Sequence, residues 1–201
     1  VDKIEDKIKA LWADVPAREN RGERPLYSVN DNIEPIVAIV RDKEAQNTRI
    51  ELEFKKGKLP KEFRGTDAAY VQAGMLDMIC DMFNNRLQEL AVDPNASFTG
   101  AGSYYGETVK EKDAFTAVYI AKQGQETQAY KDLLTQLEKM RRYGFTTSEL
   151  ERVKKEWLSY YEEAYNERGT VRNINRAQEC IRHYLDGAPM TGEEREYQMM
   201  Q

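Results

Sequence analysis

A long amphipathic helix flanked by strand-like segments is the feature that most restricts how this chain can fold. Apolar residues recur at helical spacing between Thr66 and Leu90, and Thr66 and Asp67 can cap the start of that helix. The sequence Asp93-Pro94-Asn95 then breaks the pattern. A helix of this length with one apolar face must cover another layer of structure. We therefore expect a sheet beneath it.

Four segments around this helix have the patterns of strands. Pro35–Val40 is a continuous apolar run, which predicts a central strand, and residues 48–55 alternate polar and apolar, which predicts a half-exposed one. After the helix, residues 97–105 and 114–120 are rich in aromatic and β-branched residues. We expect these last two segments to form a hairpin.

Further helices complete the pattern. Apolar residues of Ile4–Trp12 lie at helical spacing, and residues 126–143 form a helix that Gly144 can cap. Thr147-Ser148-Glu149 supplies the start of the next helix. Two more are expected at residues 174–185 and from residue 191 to 197. The order predicts an α+β fold in which a mixed or antiparallel sheet carries consecutive helices on one face.

Charge and hydropathy narrow the classes of partner. Thirty basic and 35 acidic residues give a net charge of -5, which argues against nucleic acid as a partner. No apolar stretch approaches the ~20 residues of a membrane span, and the first residues lack the apolar core of a signal peptide. Because Val1 already lies within an amphipathic pattern, we expect a piece of a longer protein, whose compartment stays undetermined.

The two cysteines are expected to be buried thiols. Cys80 and Cys180 are a hundred positions apart, and each lies within an apolar helical face. A disulfide between the two helices remains open, because two cysteines neither require nor exclude one.

The single histidine excludes the most obvious hydrolytic sites. A zinc-binding peptidase helix uses two histidines one turn apart with a glutamate base, and this chain has only His183. No serine lies in a Gly-x-Ser-x-Gly elbow. We expect His183 at a surface or interface, where Glu179 one turn earlier could pair with it. The sequence predicts no catalytic, cofactor-binding or metal-binding residue.

Three other patterns have some of the residues of a phosphate-binding or calcium-binding site. Gly100-Ala101-Gly102 lacks the lysine of a phosphate-binding loop and is better explained by a bulge or close packing in a strand. Glu162-Glu163 and Glu193-Glu194 lack the alternating oxygen donors of a calcium loop, so we expect solvated helix faces.

A basic, amide-rich helix start is the strongest remaining candidate. It consists of Arg168, Arg172, Asn173, Asn175 and Arg176. Such a cluster could contact a carboxylate, a peptide or a neighbouring domain, and the simpler alternative is an ordinary helix surface. An unrelated enzyme with its site here is the weakest of the functional hypotheses.

Three blocks resemble the M16 metallopeptidases, the insulinase and pitrilysin group, and specifically the second domain of a bacterial member. They are residues 32–46, starting Asn32-Ile33-Glu34-Pro35, residues 82–90 (Met-Phe-Asn-Asn-Arg-Leu-Gln-Glu-Leu), and residues 143–150 (Tyr-Gly-Phe-Thr-Thr-Ser-Glu-Leu). The resemblance covers nearly the whole chain. It implies repeated α/β domains of about this size in two halves that close around a peptide.

The resemblance also implies how this chain takes part. Residues 1–25 would end the preceding domain and lead into this one, and residues 26–201 would form a non-catalytic domain. The His-x-x-Glu-His zinc motif would lie upstream of Val1, so zinc would belong to the parent enzyme. The partners would be other domains of the same chain and a peptide substrate, in the periplasm or cell envelope. The alternative is a scaffold or binding domain whose parent lacks peptidase activity. The family's substrate-assisting arginine and tyrosine belong to its last domain and do not map onto Arg182 and Tyr184.

Overall fold

The elements follow the predicted order, with a different first strand. A computed structural model describes residues 2–16, 19, 22, 25 and 27–201. Within these ranges lie α1 (Asp2–Trp12), β1 (Thr48–Gly57), α2 (Lys61–Arg64), α3 (Asp67–Ala91), β2 (Phe98–Val109), β3 (Lys112–Ala121), α4 (Glu126–Tyr143), α5 (Thr147–Asn166), a 3-10 turn (Arg168–Thr170), α6 (Asn173–Asp186) and α7 (Glu193–Met200). The α+β prediction is confirmed.

The sheet is antiparallel and has β3 at its centre. Its strand order is β1-β3-β2, with Leu52 of β1 opposite Ala117 of β3, and Ala117 opposite Ser103 of β2. Strands β2 and β3 form the predicted hairpin, and β1 is the predicted half-exposed strand. A register shift between Phe98 and Gly100 agrees with the bulge expected near Gly100.

The predicted central strand Pro35–Val40 was wrong. This segment has no regular secondary structure in the described chain, and Val37 is 80% exposed. Its sequence has the continuous apolar pattern of a strand covered on both faces. The sheet of this chain cannot provide that environment, because only one of its faces carries helices.

Helices α3 and α4 cover one face of the sheet and form the core with it. Phe83 and Leu87 project from α3, Leu133 from α4 and Tyr119 from β3, and all four are buried in one apolar cluster. Strand β3 also contributes Ala117 and Ala121, which are small enough to let the helices approach closely. This cluster is the layer that the long helix was predicted to cover.

The opposite face of the sheet, the outer face, is open and charged at β1. Side chains alternate along a strand, so Ile50 and Leu52 pack towards the core while their neighbours point away. Those neighbours are Arg49, Glu51, Glu53 and Lys55. Arg49 Nε donates to Glu51 at 2.8 Å, and both residues are exposed. No helix of the described chain covers these charges.

Helix α5 packs on α3 and carries α7. Trp157 Nε1 donates to an Asp81 carboxylate oxygen at 2.7 Å, and Tyr70 donates to the Tyr161 hydroxyl at 3.1 Å. The ring of Tyr165 stacks on that of Tyr197, with centroids 5.3 Å apart. These contacts build a second helical layer outside α3.

Local capping explains where the helices begin and end. Thr66 accepts a hydrogen bond from Ala69 N, as predicted, and Gly144 ends α4 at a φ of +62°. The cap of α5 was misplaced by one residue. Thr146 is the N-cap, and its hydroxyl accepts from Glu149 N while the Glu149 side chain accepts from Thr146 N.

The N-terminal part makes little contact with the rest. Helix α1 was predicted correctly but has no buried residue. Most of the arginine-rich linker predicted between α1 and Pro25 lies outside the described residues. Among the described residues, no helix is long and apolar enough to cross a membrane.

Neighbouring leucines on α4 offer a matched test of the core. Leu133 is completely buried and Leu134 is 39% exposed. Leu133→Ala leaves a cavity under the sheet, so we expect it to lower the free energy of unfolding by about 2–5 kcal/mol. Leu134→Ala should cost less than half as much. Urea denaturation of both variants measures this, and equal losses would contradict the assigned core.

Candidate functional site

The residue blocks 82–90 and 143–150 meet in space through Arg86. Its guanidinium forms two hydrogen bonds with the Glu149 carboxylate, one of them from Nη2 at 2.8 Å, and Nη2 also donates to Gly144 O at 2.9 Å. The same guanidinium lies 4.5 Å from the centre of the Phe145 ring. We call this arrangement the Arg86 clamp. It fixes α3 against the turn between α4 and α5.

The clamp shifts the acidity of Glu149. Hydrogen bonding from Arg86, reinforced by hydrogen bonds from Thr146, lowers the pKa of Glu149 to about 2. The same hydrogen bonding raises the pKa of Arg86. Both side chains are mostly shielded from water, with 17% of Glu149 and 23% of Arg86 exposed. The two residues stabilise the fold as ions, and nothing in this geometry makes either an acid or a base for catalysis.

Thiol and imidazole groups are dispersed. Cys80 is buried, and burial raises the pKa of its thiol to about 11, which makes it a poor nucleophile. Cys180 is exposed, contrary to prediction, because no described residue covers that face of α6. Both thiols are free. His183 lies at the surface and its Nδ1 donates to Ala188 O at 2.7 Å, so the predicted pairing with Glu179 is absent from the described contacts.

The two predicted acidic pairs differ in how far they are exposed to solvent. Glu162, Glu163 and Glu194 are exposed, as expected for solvated helix faces. Glu193 differs, because it is half-buried and accepts from Arg176. In the described part of the chain, no three histidine, cysteine or acidic side chains are grouped to hold a metal ion.

A polar cleft of about 640 Å³ lies between α5, α6 and α7. It contains part of the predicted basic cluster, namely Arg172, Asn175 and Arg176. Arg168 and Asn173 do not line the cleft, and the Arg168 guanidinium lies 4.1 Å from the centre of the Tyr165 ring. Three of the five predicted residues therefore line the cleft.

Charge in the polar cleft is partly neutralised. Arg176 donates to Glu193 at 2.8 Å and lies 3.6 Å from Glu179. Arg172 and Arg182 also line the cleft and make no ion pair with a described residue. Four glutamates, Glu167, Glu179, Glu193 and Glu196, line the cleft together with the three arginines. A carboxylate or peptide carbonyl could therefore bind beside Arg172 and Arg182, which no described acidic group pairs with.

Arg182 also lines the cleft and was not part of the predicted cluster. It lies seven positions after Asn175, which is about two helical turns and thus nearly the same side of α6. That spacing was available in the sequence. Tyr160 on α5 and Glu196 on α7 also line the cleft and were not predicted. Their place in it depends on how the helices pack, which no local sequence pattern indicates.

A second cleft, of about 430 Å³, is apolar. It lies between α3, α5 and α7, with Gly74 and Trp157 in its walls. Four methionines contribute to it, Met75, Met78, Met199 and Met200. Methionine side chains adapt easily to different apolar partners. Glu151 and Lys154 also line it and form an exposed ion pair, with 3.4 Å between Lys154 Nζ and a Glu151 carboxylate oxygen.

The comparisons with known proteins find this fold in solved protease structures, among them an insulinase family protease. The sequence matches no known family profile and no curated protein. The resemblance therefore rests on solved structures. At sequence identities of 10–18%, these show the fold and leave activity open.

The periplasmic protease PqqL from Escherichia coli matches 99% of this chain at 18% identity, with a TM-score of 0.77. The separately solved first half of PqqL gives 0.78 at the same identity and coverage. A predicted insulinase family protease from Yersinia pestis matches 98% at 10% identity, with 0.77. The chain spans only 22% of PqqL and 42% of each of the other two structures. Its fold thus corresponds to one part of a longer protease.

Acid titration tests the Arg86 clamp. Because the pKa of Glu149 falls from 4.5 to about 2 on folding, its stabilising contribution is complete above pH ~4.5 and is lost as pH falls towards 2. Glu149→Gln should cost about 1–3 kcal/mol at pH 7, and its difference from the wild type should shrink below pH 4.5. Urea unfolding at several pH values measures this. Glu162→Gln, on an exposed part of α5, is the control, and equal losses in both variants would contradict the clamp.

Proposed function

We propose that this chain is a non-catalytic domain of a zinc metalloendopeptidase that degrades peptides, and that it forms part of the wall of the substrate chamber. The observation that carries the proposal is the fold, which matches protease structures over 98–99% of this chain. In this proposal residues 1–25 end the preceding domain and residues 26–201 form the wall domain. The full activity belongs to the longer parent protein.

The side chains of this chain do not fit a catalytic zinc site. Such a site needs three protein ligands and a nearby general base, and the chain has one histidine. That histidine donates to a backbone carbonyl at the surface, and no described acidic or thiol groups gather around it. We therefore place the zinc of the parent outside this chain and assign no chemical step to its residues.

In this proposal, the domain contributes contacts with the peptide substrate. In the polar cleft, Arg172 and Arg182 are the lining cations without a described ion-pair partner, so they are available to a carboxylate or carbonyl group of a peptide. Because binding groups that act equally on substrate and transition state alter KM without altering kcat, their effect should appear in KM.

The parent is proposed to work in the periplasm or cell envelope. Support comes from the description of PqqL as a periplasmic protease. Two free cysteines, one of them exposed, are the only thiols in the chain, so its fold does not depend on an oxidising compartment.

Deletion of residues 26–201 tests the proposed wall. Peptide cleavage by the parent with and without this region should be compared at equal zinc occupancy, with circular dichroism confirming that the remaining part is folded. We expect loss of at least tenfold in kcat/KM. Unchanged cleavage would indicate a separate recruitment module. Absence of cleavage in both proteins would support the alternative, a scaffold or binding domain.

Substitutions in the polar cleft give a finer test. In the parent, the Arg172→Ala and Arg182→Ala double variant should raise KM for an acidic peptide severalfold and leave kcat unchanged. Lys131→Ala, at an exposed position of α4 outside the cleft, is the control. The same KM in both variants would remove the polar cleft from the substrate-binding surface.

A further inference from the structure

The segment Ile33–Val40, which we call the apolar segment, is exposed along its whole length. Soluble proteins rarely leave so many large apolar side chains together in water. The exposed fractions are 100% for Ile33, 75% for Ile36, 80% for Val37, 79% for Ile39 and 89% for Val40. Its backbone forms no hydrogen bond with another described backbone group between residues 35 and 41. The large apolar side chains of the segment and the backbone of residues 35–40 therefore lack partners within the described chain.

Contacts on its N-terminal side hold the start of the apolar segment beside the sheet. Lys112 pairs with Asp31 at 2.7 Å, and Lys55 Nζ donates to Asn30 O at 3.4 Å. On its C-terminal side, the Asp42 carboxylate accepts from Glu44 N at 2.8 Å in a local turn that precedes β1. The residues between Asp31 and Asp42 do not pair with β1.

The apolar segment does not suit the sheet of this chain. Apolar side chains at successive positions point to both sides of a strand, so the segment needs a sheet covered on both faces. Next to β1, one side would be exposed beside the charges of the outer face, including Glu51 and Glu53. A second copy of this chain offers the same open, charged face and has the same mismatch.

We infer that the apolar segment is a β-strand supplied to the sheet of a neighbouring domain in the same polypeptide, a sheet whose two faces are both covered. This inference rests on the proposed function, which makes the chain one domain of a longer protease. The separately solved first half of PqqL has this fold, and this chain covers 42% of it, so further chain accompanies the fold there. Helix α1 supports the same partner, because it also exposes its apolar face, with Leu11 75% exposed.

The docked strand would be stabilised in two ways. Main-chain hydrogen bonds to the edge of the neighbouring sheet satisfy the free backbone groups, as in strand addition by peptides. Burial of the four large aliphatic side chains Ile36, Val37, Ile39 and Val40 on both faces adds the apolar contribution. The ion pair of Asp31 with Lys112 limits the freedom that docking must remove.

Hydrogen exchange tests this inference in the full-length parent. The amides of residues 36–40 should exchange at least a hundredfold more slowly in the parent than in the isolated 201-residue chain. Val37→Lys should abolish that protection in the parent and leave the melting temperature of the isolated chain unchanged, because Val37 is exposed there. Gln46→Lys, an equally solvated position after the turn, should alter neither measurement.

Two results would overturn the inference. Free exchange of residues 36–40 in the wild-type parent would show that no sheet receives the strand. Protection already present in the isolated chain, and increasing with its concentration, would identify a second copy as the occupant. Peptide cleavage by the same parent reports separately on the proposed function. A parent that protects the segment without cleaving peptides would therefore refute only the protease proposal.

Discussion

The Arg86 clamp is the interaction on which the arrangement of the helices depends. The core holds α3 and α4 on the sheet, but apolar contacts have little directionality and do not by themselves fix where α5 begins. Arg86 supplies the direction. Its planar guanidinium contacts Glu149, Gly144 O and the Phe145 ring at once, and Glu149 also completes the capping box with Thr146. One side chain of α3 thus joins the end of α4 to the start of α5.

Local patterns predicted most elements because the determinants of those elements lie within a few residues. The helix predicted from apolar periodicity and the strand predicted from alternation are both present, as α3 and β1. Pro35–Val40 was wrong because its pattern reports burial on two faces, and that burial has to come from outside the sheet described here. The predicted burial of Cys180 was wrong for a related reason, since an apolar helical face indicates burial only when another layer covers it.

The sequence could predict which residues of α6 belong to the candidate site, but not which residues of other helices contact them. Arg172, Asn175 and Arg176 share the first turns of α6, so the sequence could group them. Neutralisation of Arg176 by Glu193 depends on α7 returning beside α6, and no local signal encodes that contact. The chain shares the fold of part of a protease and has a polar cleft between α5, α6 and α7. Its apolar segment and α1, which both expose apolar side chains, precede β1.

We propose that this chain supports proteolysis without performing it. The most direct measurement is cleavage of a mixed peptide library by the purified 201-residue chain, with and without added Zn²⁺, followed by mass spectrometry. The account predicts no cleavage above the buffer control in either condition. Zinc-dependent cleavage that disappears in the His183→Ala variant would contradict it, because a reactive site would then exist within this chain.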